Sequence, residues 1–202
     1  MSDQSHSPET LRDELMGFSD KVPRAFPDGT VPGFYPSAIV QIQNKVTPMY
    51  ESIDKAVLMQ EILEDKVRRP FFSYLTNHGR AHIEKVEMRA QEILRACRIH
   101  ITPYELYYLL ASIWLHDAGM IYGRDGHEKS IARILDDIGD AAGNALERRV
   151  LMGIASAHSG VVDGQPNNMD TIGQLGEQVA VGNLNVREQL LAAILRLADE
   201  LA

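Results

Sequence analysis

Residues 109–120, LLASIWLHDAGM, form an apolar run that ends in His116-Asp117 and breaks at Gly119. The helix that holds this run has a clear start at Thr102-Pro103-Tyr104-Glu105. There a threonine N-cap precedes a proline at the first helical position, and a glutamate follows three residues after the cap. From there to about residue 118 the chain is apolar nearly all round, as expected of a central helix surrounded by others. An ionised aspartate at the end of such a helix is costly to bury without a partner. The macrodipole adds to the cost, because the C-terminal end of a helix is negative. No Arg or Lys lies nearer in sequence than Arg124. A divalent cation held by His116 and Asp117 answers the problem, since imidazole and carboxylate together suit Mn, Fe, Mg, Zn or Ni.

Helical spacing recurs on both sides of this segment. Residues 36–66 are helical in pattern and are expected to form helices covering one flank of the domain, and residues 79–98 carry Ile83, Val86, Ala90, Ile93, Leu94 and Cys97 on one stripe, which makes Cys97 a small core residue. Further helices are expected over about 127–138, 145–158 and 186–202, with residues 159–185 as a long loop holding at most a short helix. Tyr104, Tyr107 and Tyr108 are expected to fill core. No strand stands out, so the class is all-α. Residues 1–35, which include KVPRAFPDGTVPGFYP, read as an extended N-terminal arm, and residues 36–202 as one helical domain.

At 202 residues and 45% hydrophobic, the chain can bury a real core. Its formal net charge of −8 argues against coating a nucleic acid or an anionic membrane. It leaves room for a small anionic substrate, because a bound metal reverses the field locally. One cysteine forms no intrachain disulfide, and no apolar run approaches the 18 or so residues of a membrane span, so a cytoplasmic protein is expected.

Four of the seven histidines border apolar stripes at helix positions: His82, His116, His127 and His158. Asp199, within LLAAILRLADEL, borders the stripe of the last helix in the same way. His78 and His82 are four apart, but HGRAH lacks the glutamate of a zinc-protease helix. A nucleophile elbow and a phosphate-binding P-loop are also lacking.

The order NHGRAHIEKV, LLASIWLHDAGM, GHEKSIARIL, LMGIASAHSG, LLAAILRLADEL resembles the HD superfamily of metal-dependent phosphohydrolases over residues 74–201. It is most similar to the HD domains found beside histidine-kinase-type ATPase modules. The resemblance implies an HD-domain helical bundle whose central buried helix carries the His-Asp pair. It implies metal ligation by His82, His116, Asp117 and Asp199, with His127 and His158 serving a second ion that Asp117 bridges. It implies one or two divalent ions that activate water for hydrolysis of a phosphomonoester or phosphodiester, the substrate being a nucleotide by preference. Asp117 then has a catalytic place, and His78 or His127 is positioned to protonate the leaving oxygen. Many members carry a lysine where this chain has Met120, so the phosphate-facing cation is sought at Arg80, Arg124, Lys129 or Arg196. Related domains usually continue with more helix beyond the last aspartate, which suggests a shortened form. The alternative is a catalytically silent nucleotide-sensing module in an ATPase-linked assembly; an ATPase partner or a homo-oligomer is expected with it.

Overall fold

A computed structural model describes residues 10–17, 35–67, 78–123, 126–162, 164–182 and 184–202, with the side chains of 17, 35–37 and 57–67 outside the description. Arg124 and the stretch from Tyr74 to Asn77 therefore lie outside the described residues. Seven α-helices are found among them: α1 Leu11–Gly17, α2 Tyr35–Val67, α3 Arg80–Ala96, α4 Pro103–Leu115, α5 Ile131–Ile138, α6 Ala145–Ser156 and α7 Glu188–Glu200. The fold is the expected helical bundle. No helix among the described residues is long and apolar enough to cross a membrane.

The apolar helix is central. All twelve residues from Tyr104 to Leu115 are buried, including the three tyrosines, and α4 packs against α2, α3, α6 and α7. Its start is the predicted capping box: Thr102 Oγ1 accepts from the Glu105 amide, and the Glu105 carboxylate accepts from the Thr102 amide. The same carboxylate, 2% exposed as a residue, also accepts from the Arg187 guanidinium at 2.7 and 2.8 Å. Arg187 is the N-cap residue of α7, so the start of α4 and the start of α7 are tied by one ion pair.

Four expectations are corrected. Inside the segment read as an extended arm, Leu11–Gly17 is a helix with Leu11 and Leu15 buried in the core. Two leucines four apart meet on one helical face, and that pairing outweighs the surrounding Pro, Gly and Ser content. Residues 36–66 belong to one helix, α2, which runs through Pro48 without a second start. Cys97 is exposed, because it sits at the C-cap of α3, one residue before the chain turns away at Arg98 with φ 53°. Two short strands, β1 Val179–Val181 and β2 Leu184–Val186, pair antiparallel within the expected loop and bury Val181 and Val186 against the bundle. The alternation in VAV and LNV is real but only three residues long, too short to read as a strand from periodicity alone.

Candidate metal centre

α4 ends at Leu115, with His116 as its C-cap and Asp117 starting a 3-10 turn over Ala118–Tyr122. Both side chains face inward, His116 0% and Asp117 2% exposed. α3 brings His82, and α7 brings Asp199. One ligand atom from each of His82, His116, Asp117 and Asp199 lies within 4.8 Å of the others, and the same holds for Asp117, His127 and His158. All six sequence-predicted ligand residues are thus brought together, and Asp117 belongs to both sets.

The two oxygens of Asp117 are divided between the sets. Oδ2 lies 3.3 Å from His116 Nε2 and 3.7 Å from His82 Nε2. Oδ1 lies 3.1 Å from His127 Nε2 and 3.6 Å from His158 Nε2. His82 Nε2 is also 3.0 Å from Asp199 Oδ1, and His116 Nε2 is 3.6 Å from the same oxygen. Each oxygen of Asp117 thus faces one of the two sets.

Backbone carbonyls settle which ring nitrogens face the cluster. His116 Nδ1 donates to the Ile113 carbonyl at 2.7 Å, and His158 Nδ1 donates to the Ala155 carbonyl at 2.6 Å. In each neutral ring the lone pair is then on Nε2 and points at the carboxylates, as metal-ligating histidines require. His116 Nε2 is buried and makes no hydrogen bond. A buried nitrogen lone pair facing two carboxylates is unfavourable unless a cation stands between them. The residues therefore fit a divalent ion.

The electrostatics agree. Burial works to lower the His116 pKa, yet the neighbouring Asp117 and Asp199 carboxylates outweigh it and lift the ring to about 10. Burial works to raise Asp117, and the charge of His116, with His127 and His158, holds it well below the usual carboxylate range. Asp199 is likewise held low against burial by His116 and His82. Burial lowers His158, which keeps its ring neutral and available as a ligand. A proton on His116 and a metal ion beside it answer the same negative field.

His127 reaches the cluster through a close backbone approach. It begins a 3-10 turn, His127–Ser130, that lies against the turn Ala118–Tyr122. A Cβ at Gly119 would overlap the His127 carbonyl oxygen, so the break in LLASIWLHDAGM is also what admits the second histidine group.

The remaining candidates fall in different places. His78, whose side chain is 20% exposed, donates from Nδ1 to Asp117 Oδ2 at 2.8 Å at the mouth of the cluster. Arg80 is exposed and pairs with Glu84, and Arg196 donates to the Met169 carbonyl; neither contact is to a cluster residue. Lys129 is exposed two residues after His127. Met120 packs half-buried against the core. Two groups escaped the sequence reading. Glu128 places a carboxylate oxygen 3.7 Å from His127 Nδ1, and nothing in the pattern GHEKS distinguishes it from a solvated residue. Tyr50 is fully buried beneath the cluster and donates to the Trp114 carbonyl; its long separation along the chain gives no local signal.

The HD-CE family model matches residues 72–202. No curated protein and no solved structure matches the chain.

Proposed function

The chain belongs to the HD-CE family of HD-like domains, and from that premise we propose that it is a metal-dependent phosphohydrolase acting on a small phosphorylated substrate, a nucleotide by preference. The observation that carries this reading is the sharing of Asp117 between two ligand sets. Divalent ions held by these residues would supply Lewis acidity toward phosphoryl oxygens and make water a nucleophile near neutral pH. The roles of the chain's own groups follow from their positions. Asp117 would offer one carboxylate oxygen to each ligand set, while the carbonyls of Ile113 and Ala155 orient His116 and His158. His78 stands at the mouth on Asp117 and is the group to give a proton to the leaving oxygen. His127, 3.1 Å from Asp117 Oδ1, serves better as a ligand than as that acid.

The test is direct. Metal content is measured on the purified protein, and nucleotides and p-nitrophenyl phosphoesters are assayed with Mn²⁺. Stoichiometric metal with turnover of at least one phosphoester supports the reading; protein that binds no metal and turns over nothing overturns it. Met120 and the engagement of Arg80 and Arg196 elsewhere favour a second reading, a nucleotide-sensing module without turnover in an ATPase-linked assembly. A nucleotide that binds tightly and is recovered intact selects that reading.

A further inference from the structure

The end of α4 decides which way a carboxylate points. The backbone ladder continues as far as the His116 amide, which donates to the Ser112 carbonyl at 3.0 Å. The next two carbonyls are taken by side chains. Ile113 O accepts from His116 Nδ1 at 2.7 Å, and Trp114 O accepts from Tyr50 Oη at 2.9 Å. A helix leaves its last four carbonyls without intrahelical partners, so the groups that satisfy them help decide where it stops. Asp117 has already left the helix, with φ −101° and ψ −3°, in the sparsely populated bridge region.

Tyr50 is firmly held beneath this end. It is 0% exposed, and its ring stands edge-on to Trp114 with centroids 6.4 Å apart. α2, which carries it, packs against both α4 and the turn Ala118–Tyr122. Burial pushes the pKa of the hydroxyl up, so its proton stays in place to be donated, and the Asp117 amide acts on the same oxygen. One hydroxyl thus meets the backbone on both sides of His116, at Trp114 before it and at Asp117 after it. Packing alone asks only for a phenylalanine, which fills nearly the same space and brings no polar atom to satisfy. Tyr50 also lies outside residues 72–202, so it comes from a helix beyond the matched family domain.

We propose that Tyr50 is a positioning residue for Asp117: its hydroxyl, inserted where the helical ladder would continue, ends α4 at His116 and turns the Asp117 carboxylate toward both ligand sets. A side chain inserted into the i→i−4 ladder is a recognised cause of such a break. Tyr50 acts through the backbone and not as a ligand. Its effect on metal binding rests on the reading of the cluster as a metal centre, while its effect on the backbone does not.

The experiment uses the full chain, with Co²⁺ as the probe metal and amide hydrogen exchange of the metal-free protein as a second readout. Tyr50→Phe removes the hydroxyl and keeps the ring. Tyr108→Phe is the comparison, since it removes a buried hydroxyl that pairs with Tyr104 at 3.0 Å, well before the end of α4. In Tyr50→Phe, Co²⁺ affinity is expected to fall about tenfold or more, with a changed d–d absorption spectrum. Exchange over residues 117–120 is expected to rise about tenfold beyond what the variant's loss of global stability accounts for. Tyr108→Phe keeps the wild-type spectrum and affinity, and its exchange there follows global stability alone. 4-Aminophenylalanine at position 50 returns a donor to the Trp114 carbonyl and restores the wild-type spectrum. If Tyr50→Phe does not fold, 4-fluorophenylalanine at position 50 takes its place, because it keeps a polar ring tip and gives up only the donor. Wild-type spectrum, affinity and exchange in the donor-less variant overturn the proposal, as does an equal spectral change in Tyr108→Phe. A wild type that takes up no Co²⁺ removes the metal-dependent reading and leaves exchange to decide: faster exchange keeps the role of Tyr50, and unchanged exchange overturns it.

Discussion

His116 and His158 stand edge to face with ring centroids 4.8 Å apart, each held by Nδ1 on a carbonyl three residues earlier in the chain. One rides on the end of α4 and the other just beyond α6, yet the same local device turns both Nε2 atoms toward Asp117. Two helix C-termini, each negative, thus meet at a carboxylate. That concentration of negative potential is why the cluster calls for cations.

Asp117→Asn tests the shared position. The amide keeps the volume of the side chain and removes its charge, so the helices stay folded while both ligand sets lose their common anion. Bound metal, read by mass spectrometry of the purified protein, falls to near zero. Loss of an outer-shell partner of a metal site typically costs 10- to about 100-fold. Loss of a residue shared by both sets costs more, so phosphoester turnover falls by over about a hundredfold. Full metal content in the variant refutes the bridging role.

His158→Gln and His82→Gln separate the two sets. Each variant is expected to lose one equivalent of metal and keep the other, because each histidine belongs to a single group. Equal and complete loss in both variants indicates one ion rather than two.

Gly119→Ala acts through the backbone. The added methyl meets the His127 carbonyl, and a carbonyl in a packed turn moves only with its turn. Overpacking of this kind costs about 1–3 kcal/mol. The thermal midpoint therefore drops, and metal loss is confined to the His127–His158 set. Calorimetry and metal counts on the same sample read both effects.

Glu105 carries a pH dependence. Burial works to raise its pKa, but the hydrogen bonds from Arg187 and the Thr102 amide outweigh it and hold the group below the usual glutamate range. A carboxylate with a depressed folded pKa adds stability that is complete above the unfolded value and fades as pH falls through the folded one. Resistance to denaturant is thus expected to weaken from about pH 4.5 downward. Glu105→Gln lowers stability by about 1–3 kcal/mol at pH 7 and flattens that acid limb. An acid limb of the same depth in the variant assigns it to other carboxylates.

Much of this site was legible in the chain because its chemistry conflicts with its surroundings. A histidine and an aspartate closing an apolar helix, and His82 and Asp199 bordering apolar stripes, are visible as exceptions to a pattern. The capping box at Thr102 was legible for the same reason, a local rule with a fixed spacing. What was not legible depends on approach between segments distant in sequence. The helix Leu11–Gly17, the contact of Gly119 with His127, and the place of Glu128 beside His127 exist only once the helices are packed. Cys97 misled because helical spacing continues past the point where the helix itself stops.

The ion pair of Glu105 and Arg187 also sets a length. α4 and α7 are each 13 residues long and are joined where they start. His116 lies eleven residues beyond Glu105, and Asp199 twelve beyond Arg187. At 1.5 Å per residue, two helices zeroed on the same pair arrive level about 16–18 Å away. That is where His116 and Asp199 stand 3.6 Å apart. The pair works as the origin of a ruler. Adding or removing one residue in either helix would turn its ligand by about 100° and carry it off the mark, with every contact at the origin intact.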